Sequence, residues 1–559
     1  MIDTVVIIVF SVFIMLVGIS FSRTGRNLKS FFAGGEAVPW FIGGMSLFMS
    51  FFSAGTFVAW GSIAYSHGWV AITIQWTMCI GGLITGLYLA PKWKATGNLT
   101  AAEFIKERLG NAVQKCYIYV FMLVSVFIKG SVLYSVAKLV SESLGYPLIP
   151  VTIVLGILMI AYTAIGGLWA VMVTDILQFV VLTAAILIVI PLVFQEVGGV
   201  QSFLDQVPED FFNVVSGEYT WGFILAFALY HIFYIGGNWT FVQRYTSVDT
   251  PRSASKVAYL FAALYIVSPM LWMIPPMVYK VINPNLIGLA TEGAYIMVCK
   301  KVLPAGLLGL MLTGMYFSTS ASANTALNVV SAVFTNDIYK GSVNPQASEK
   351  KLMFIARASS WFFGLFMIIV ALIVPLIGGI VEFTLSIGAI TGGPLLAPPI
   401  WALFSKRLTG KATIYITGIS LSVNLLFKIV FPLLMDYKLS RANEMLLGVA
   451  LPFLLLICVE IFAKSRGLIS PEYMNLQKVK AKRKEAIKQI DEEEEIALQN
   501  QNVFGLKMIA FSLSFIAVLL YVLCFFFADR SPLVGGIATV ILMTALIPWR
   551  AAKKVSPMK

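Results

Sequence analysis

Polar positions along this chain are sparse and unevenly spread. Fifteen stretches of about 20 mostly apolar residues alternate with short polar connections, and about 20 apolar residues are what an α-helix needs to cross a bilayer. The pattern predicts spans at 3–22, 39–66, 68–91, 111–143, 148–165, 169–195, 219–242, 254–280, 303–335, 352–376, 380–404, 412–435, 443–463, 506–527 and 532–549. The fold predicted is an all-α polytopic membrane protein with about 15 transmembrane helices. One long polar insert, 464–505, contains "KVKAKRKEAIKQIDEEEEIALQNQ" and reads as a charged, solvated helix. The simplest account of it is a linker with charge pairs; the other is a regulatory or partner-binding segment.

Two spans carry polar or small residues at their centres. The second reads "SLFMSFFSAGTFVAWGSIAY", with Ser53, Ala54, Gly55 and Thr56 in its middle, and the seventh reads "LYHIFYIGGNWTFVQR", with Gly236, Gly237 and Asn238. Each is followed two spans later by an unusually long helix, 111–143 and 303–335. One such interruption is explained by close helix packing. A matched pair in two halves of a chain points to a transporter site, where unwound carbonyls hold the coupling cation near the midplane.

Composition agrees with the pattern. The chain has 559 residues, 59% hydrophobic and 12% charged, against about 25% charged in soluble proteins, and its mean hydropathy is +0.87. The net charge of +13 does not imply nucleic acid, because the basic residues sit in connections between spans. "SRTGRNLKSFFAGGE", "PKWKATGNLTAAEFIKERLG", "QRYTSVDTPRSASK", "NDIYKGSVNPQASEKK", "SKRLTGK" and the tail "RAAKKVSPMK" fall on one side if the N-terminus is outside and the C-terminus cytoplasmic. The opposite side carries "QEVGGVQSFLDQVPEDFFNVVSGEY", acidic and without Lys or Arg; "CKKVLP" is the exception. The start "MID" does not read as a signal peptide, and five scattered cysteines form no disulfide framework.

Asp175, in "TDILQF", is the sharpest chemical signal. It lies about eight residues, or about 12 Å, into its helix, and a carboxylate at the bilayer centre costs about 2.5–3.5 kcal/mol on insertion scales. Thr174 and Gln178 add polarity beside it. The ninth span supplies a hydroxyl stripe, Ser318, Ser322 and Thr325, at i, i+4, i+7 within seven Ser, Thr or Asn residues over 318–328. Oxygen ligands of this kind suit a hard cation such as sodium, so the expected offset for Asp175 is a coupling ion with hydroxyl partners. A proton site or a neutral acid in a structural hydrogen bond are the alternatives. Lys129, Lys428 and Glu382 are further intramembrane charges and functional candidates. Lys138 reads as a snorkelling lysine, and His231 adjoins the break in span seven.

The stretches "SFFAGGEAVPWFIGGMSLFMSFFSAGTF", "YTAIGGLWAVMVTDILQ", "NWTFVQR" and "ALNVVSAVFTNDIYK" resemble the sodium:solute symporter family, over roughly residues 1–460. The resemblance implies a five-plus-five inverted-repeat transporter core, spans 2–6 and 7–11, with peripheral helices. Its segments here are 1–38 (first peripheral helix and loop), 39–195 and 196–405 (the two repeats), 406–463 (peripheral helices), 464–505 (insert) and 506–559 (last helices and tail). Aligned on Asn328 and Asp337, it implies sodium binding by the Met49 and Phe52 carbonyls, the Ser318 carbonyl and the positions Ala321 and Ser322. The family usually has two hydroxyls at that last pair. A water, or a register shift to Ser318 and Thr319, would compensate for Ala321. A further family sodium site would use Asp175, Asn324 and Thr325. Substrate positions carried over are Thr56, Gln75, Lys129, His231 and Tyr265, with Tyr234 as an inner aromatic gate. The set suits a polyol or sugar acid, and it departs from the sodium/glucose pattern at several positions.

The expected function is secondary active transport: sodium-coupled symport of a small polar solute, most readily a sugar or sugar acid, in a plasma or inner membrane. Proton coupling through Asp175, or sodium-coupled uptake of an amino acid or organic acid, are the alternatives. No GxxxxGK[ST], HExxH or GxSxG motif and no Cys/His cluster is present, so neither ATP-driven nor enzymatic chemistry is expected. A channel is a third class, separated by the absence of saturation. The only ligand ion expected is sodium.

Overall fold

A computed structural model of the protein describes residues 2–20, 38–98, 100–161, 168–344, 346–486, 492–526 and 530–555. The described chain is helical almost throughout, and its one β pairing is an isolated bridge between Ser216 and Tyr219. Among the described residues, ten helices are long and apolar enough to cross a membrane, or 12 if each of two bent pairs counts as one span.

The first part of the chain gives α1 (Ile2–Ser20), α2 (Trp40–Phe51), α3 (Gly61–His67), α4 (Val70–Ile84), α5 (Ala90–Ala95), α6 (Ala101–Leu109), α7 (Asn111–Leu144), α8 (Leu148–Ala161) and α9 (Leu168–Glu196). A single π-turn, Thr56–Trp60, leads into α3. The middle gives α10 (Val200–Gln206), α11 (Trp221–Gly237), α12 (Trp239–Thr246), α13 (Pro251–Ile282), α14 (Ala294–Val302), α15 (Leu307–Val333), α16 (Glu349–Ile373) and α17 (Gly379–Ala402). The remainder gives α18 (Gly410–Leu425), α19 (Phe431–Met435), α20 (Arg441–Ser465), α21 (Pro471–Ala486), α22 (Glu492–Cys524) and α23 (Ser531–Val555).

All fifteen apolar stretches have a helical counterpart. The two bent pairs are the two spans whose centres are polar. Trp40–Phe51 and Thr56–His67 meet at 59°, and Trp221–Gly237 and Trp239–Thr246 at 55°. The long helices expected after each break are α7, with 34 residues, and α15, with 27. Asp3 fixes the start of α15: its Oδ1 accepts from Gly306 N at 2.7 Å and Gly309 N at 2.8 Å, satisfying two donors that a helix start leaves open.

The insert is attached at its start, while the side chains of most of its charged run, 481–498, lie outside the described residues. Its first helix, α21, is held to the rest of the protein at its start. Ser470 N donates to Lys406 O at 3.1 Å, Gly410 N donates to Glu472 Oε1 at 3.3 Å, and the Arg108 guanidinium lies 5.3 Å from the centre of the Tyr473 ring. Arg108 itself is buried on α6 and donates to Ser405 O and Leu408 O. Beyond Glu492 the chain runs on as α22 into the next apolar stretch, so 505/506 falls inside a helix. Sequence charge alone hid this, because the partners are backbone groups of the α17–α18 connection.

Between α17 and α20 the backbones touch. A Cβ added at Gly448 would lie 2.0 Å from Ala389 O, and one added at Gly393 would lie 2.1 Å from Gly448 O. Within a bilayer small residues are what permit such an approach. Gly418 on α18 has nothing within 4 Å of an added Cβ. Gly448→Leu is therefore expected to lower stability by more than about 2 kcal/mol through overpacking. Gly418→Leu should be close to neutral, with both variants read as thermal transitions in detergent.

Candidate functional site

Each helix break frees backbone groups that hydrocarbon cannot satisfy, and other elements supply the partners. At the first break Phe52 N bonds Met49 O at 3.0 Å, and Thr56 Oγ1 donates to Phe51 O at 3.1 Å while facing Ser53 N at 3.3 Å. From α15, Ser318 Oγ donates to Phe52 O at 2.7 Å, and Thr319 Oγ1 accepts from Ala54 N at 3.1 Å. Two of the expected sodium-site members, Phe52 and Ser318, are thus in direct contact. Thr319, weighed as a compensating position, is the second hydroxyl on the break. The side chains of Ala321, Ser322, Asn324 and Thr325 lie outside the described residues, as do Asn328 and Asp337.

The second break is closed differently. Trp93 Nε1, on α5, donates to Gly236 O at 2.7 Å, and Tyr245 OH donates to Ile235 O at 3.1 Å. Asn238 caps the helix that restarts, accepting from Thr240 N at 3.0 Å. A break capped by a tryptophan and a tyrosine is a fixed joint, whereas the first break faces hydroxyls on both sides.

Asp175 is buried on α9. Ser46 Oγ, on α2, donates to Asp175 Oδ2 at 2.7 Å. Arg244 Nη2, on α12, lies 4.0 Å from the same oxygen, and Arg244 Nε faces Ser46 Oγ at 3.4 Å. The cation facing Asp175 in this structure is therefore Arg244, where the sequence pointed to a coupling ion and the α15 hydroxyls. Arg244 also donates to Thr240 O and Gln243 Oε1. The cluster joins the leading half of one broken span to the trailing half of the other through α9. Gln178 Oε1, one turn along α9, is buried without a hydrogen-bond partner.

The substrate candidates occupy two places. On α4 and α11, Thr77 Oγ1 and His231 Nδ1 are 2.6 Å apart, and Phe227 packs edge-on to His231 at 4.3 Å. Two residues from Thr77, Gln75 is 1% exposed and neither of its amide atoms has a hydrogen-bond partner. Tyr265 belongs to an aromatic wall with Phe48 at 5.1 Å and Phe261 at 4.7 Å. Tyr234 continues that wall against Phe51 at 5.5 Å and Tyr230 at 5.3 Å. Thr56 lies at the first break. Lys129 is half-buried on α7, whose next residue, Gly130, packs against Val370 of α16.

Three of the remaining intramembrane charges pair among themselves. Lys428 Nζ lies 2.8 Å from Glu382 Oε1 and 2.9 Å from Glu444 Oε1. Arg441 bonds Glu382 Oε2 at 3.0 Å and Glu218 at 2.9 Å. Lys138 pairs with Glu142 at 3.0 Å. Glu382, Arg441 and Glu218 line a cavity of about 380 Å³ with Ser62, His67 and Glu292.

Ser46, Thr77 and Arg244 were missed as site residues. Arg244 was readable, since it ends the "NWTFVQR" motif beside a break, but its partner Asp175 is far away along the chain. Removing one member of a buried pair leaves the other uncompensated, at a cost of about 3–5 kcal/mol. Arg244→Gln is expected to lose that much. Adding Asp175→Asn should recover a large part of it, so that unfolding in detergent gives a strongly non-additive cycle.

The model of the sodium:solute symporter family matches residues 31–417. Sodium/glucose cotransporter 1 of Mus musculus is 26% identical over 465 residues, covering 74% of this chain and 69% of that protein. The sodium/glucose cotransporter of Vibrio parahaemolyticus is 26% identical over 449 residues (74% and 81%). The sodium/iodide cotransporter of Homo sapiens is 26% identical over 469 residues (80% and 71%). Among solved structures, the substrate-bound outward-open state of a Na+-coupled sialic acid symporter aligns with a TM-score of 0.67 at 21% identity, over 83% of this chain and 97% of that one. With the family matched over more than half of its length and a transporter fold built on two broken helices, this chain belongs to the sodium:solute symporter family and is a multi-pass membrane transporter, not an enzyme.

Proposed function

We propose that this transporter carries a small polar solute of the sugar or sugar-acid class together with sodium, from outside the cell to the cytoplasm. The observation that carries the reading is the first helix break, whose Phe52 carbonyl and Ala54 amide are met by the Ser318 and Thr319 hydroxyls. Oxygen atoms gathered on unwound backbone are the donor set a sodium ion requires. In this reading Met49 O, Phe52 O and Ser318 bind the ion, with the Ala321 and Ser322 positions completing the shell. Asp175, Asn324 and Thr325 form a second ion position, reached when Arg244 moves off the carboxylate.

The solute class rests on the relatives and on the side chains. Two of the relatives named above carry glucose and one iodide, so the family alone does not fix the cargo. The candidate substrate groups are Gln75, whose amide atoms have no hydrogen-bond partner, the His231–Thr77 pair, Thr56 and Lys129, together with the Tyr265 and Tyr234 rings. Paired donors and acceptors beside aromatic faces match a polyhydroxylated ligand, and Lys129 adds affinity for a carboxylate. The bilayer supplies the surroundings, in a plasma or inner membrane crossed about fifteen times.

The orientation proposed has the N-terminus outside and the C-terminus cytoplasmic. The basic exception "CKKVLP" is consistent with it. Lys301 pairs with Glu196 at 2.8 Å, so its charge is matched by the acidic connection on the same face. The sodium gradient supplies the free energy, and rocking of one part of the helix bundle against the other exposes the site alternately to each side.

Thermal unfolding of the purified protein tests this directly, because a ligand that binds only the folded state raises the transition. Sodium should stabilise where potassium does not, and a sugar or sugar acid should add stability only in sodium. Ser318→Ala should raise the sodium concentration for half-maximal stabilisation by up to about tenfold, the worth of one hydrogen bond or ligand. An unchanged sodium dependence removes the Ser318 hydroxyl from the site. Equal behaviour in sodium and potassium, with stabilisation at lower pH instead, overturns sodium coupling.

A further inference from the structure

The polar insert takes no part in the transport reading, yet its start shares a surface with the α17–α18 connection. The hydrogen bonds from Ser470 N to Lys406 O and from Gly410 N to Glu472 join the two. Five basic side chains are exposed on the joined segments. They are Lys406 and Lys411 around the start of α18, Lys464 and Arg466 at the end of α20, and Lys478 on α21. None of the five makes an ion pair among the described residues. The carboxylates of this region are already engaged. Glu460 accepts from Ser405 Oγ at 2.5 Å, Arg407 Nη1 at 3.1 Å and Trp401 Nε1 at 3.3 Å. Glu472 accepts from Ser470 Oγ at 2.5 Å as well as from Gly410 N. Clustered cations without local counter-charge attract an anion from outside the fold.

Apolar side chains lie exposed on the same segments: Phe404, Leu468, Ile469 and Met474. They follow directly on Ile461 and Phe462, which α20 exposes in its last turns as an apolar span does toward lipid. The Arg466 guanidinium lies 5.2 Å from the centre of the Phe462 ring. A basic residue and an aromatic ring together at the end of a span mark the depth of the headgroups. Gly467, at φ +63°, closes α20 at that depth, and Leu468 N turns back to Ala463 O at 2.9 Å. This glycine cap keeps Leu468 and Ile469 beside the end of the span. Farther along the insert the sequence carries its own counter-charge, because Lys482, Arg483 and Lys484 are followed by the acidic run 491–495.

We propose that residues 404–411 and 464–478 form a binding surface for anionic phospholipid headgroups, with Phe404, Leu468, Ile469 and Met474 set into the acyl boundary beneath them. Unpaired cations beside exposed apolar side chains are the two signals that hold a protein surface to an anionic leaflet. The inference takes its leaflet, the cytoplasmic one, from the orientation proposed above, and rests on neither orientation nor transport otherwise. Lipid bound here spans the α17–α18 connection and α21, and so fastens the insert where Tyr473 meets Arg108.

The test titrates the detergent-purified protein with dioctanoyl-phosphatidylglycerol or dioctanoyl-phosphatidylcholine and reads the thermal transition. The anionic lipid should stabilise at a concentration at least about tenfold lower than the zwitterionic one, since each cation near an anionic surface contributes about a fivefold gain. High salt should narrow the difference. Glycerol 3-phosphate, which lacks acyl chains, should not reproduce it; if it does, the site is one for free phosphate and the lipid surface is overturned. Combining Lys406→Gln, Lys411→Gln, Lys464→Gln, Arg466→Gln and Lys478→Gln should abolish the preference. Five replacements in other connections of the same face, Arg252→Gln, Lys256→Gln, Lys340→Gln, Lys350→Gln and Lys351→Gln, should leave it intact. A parent without preference, or equal loss in both variants, contradicts a defined surface. A second measurement places the apolar part. Met474→Cys carrying a polarity-sensitive fluorophore, corrected for the labelled parent, should emit farther to the blue when phosphatidylglycerol is mixed into phosphatidylcholine nanodiscs. The five replacements on the surface should remove that shift. Emission that ignores lipid charge but responds to neutralising the acidic run 491–495 assigns these cations to the chain's own acidic segment and overturns the proposal. Neither measurement reads sodium or uptake, so failure of the symport reading leaves both as they stand.

Discussion

A membrane helix cannot be broken unless something satisfies the freed backbone. An unpaired amide or carbonyl in hydrocarbon costs several kcal/mol, and this chain breaks two spans near their centres. The protein meets that constraint in two ways. The break at Asn238 is sealed by Trp93, Tyr245 and its own side-chain cap. The break at Phe52 is met by two hydroxyls from α15. A hydroxyl that donates to a carbonyl can instead offer its oxygen to a cation, and a carbonyl retains a second lone pair. The same groups that make the break tolerable are thus suited to the cation site proposed above. The Asp3 cap fixes where α15, which carries both hydroxyls, begins.

Charge inside the bundle follows the same economy. Asp175 is offset by Arg244 and Ser46, which lie on opposite halves of the two broken spans. Glu382, Glu444 and Glu218 share Lys428 and Arg441. Each cluster joins helices that alternating access would move relative to one another. An ion pair is suited to such a place because partners can exchange, and a buried pair is worth little as static stabilisation. Glu292 differs in relying on neutral donors, Tyr134 OH and Ile380 N at the start of α17.

The sequence made the spans and both breaks legible, because hydropathy over 20 residues is a strong signal and Gly-Gly-Asn or Ser-Ala-Gly at the centre of a span is a strong exception. Asp175 was legible as an anomaly for the same reason. Its partners were not. Ser46 is 129 residues away in the chain and looks like any small membrane-helix residue, and Arg244 reads as the end of a span. The insert misled in the opposite direction. Its charges suggested a solvated helix, but its start is anchored by Ser470 and Glu472 on backbone groups of another connection and by the Tyr473 ring facing Arg108. Periodicity and composition report on a segment's own face, whereas these contacts depend on which distant backbone arrives beside it.

The account stands or falls on coupling. Purified protein in sealed vesicles, with an inward sodium gradient as the only driving force, should accumulate a labelled sugar or sugar acid above its external concentration. Collapsing the gradient with a sodium ionophore should release it. Accumulation driven equally well by a proton gradient in sodium-free buffer, or uptake that never exceeds equilibration, would contradict sodium-coupled symport.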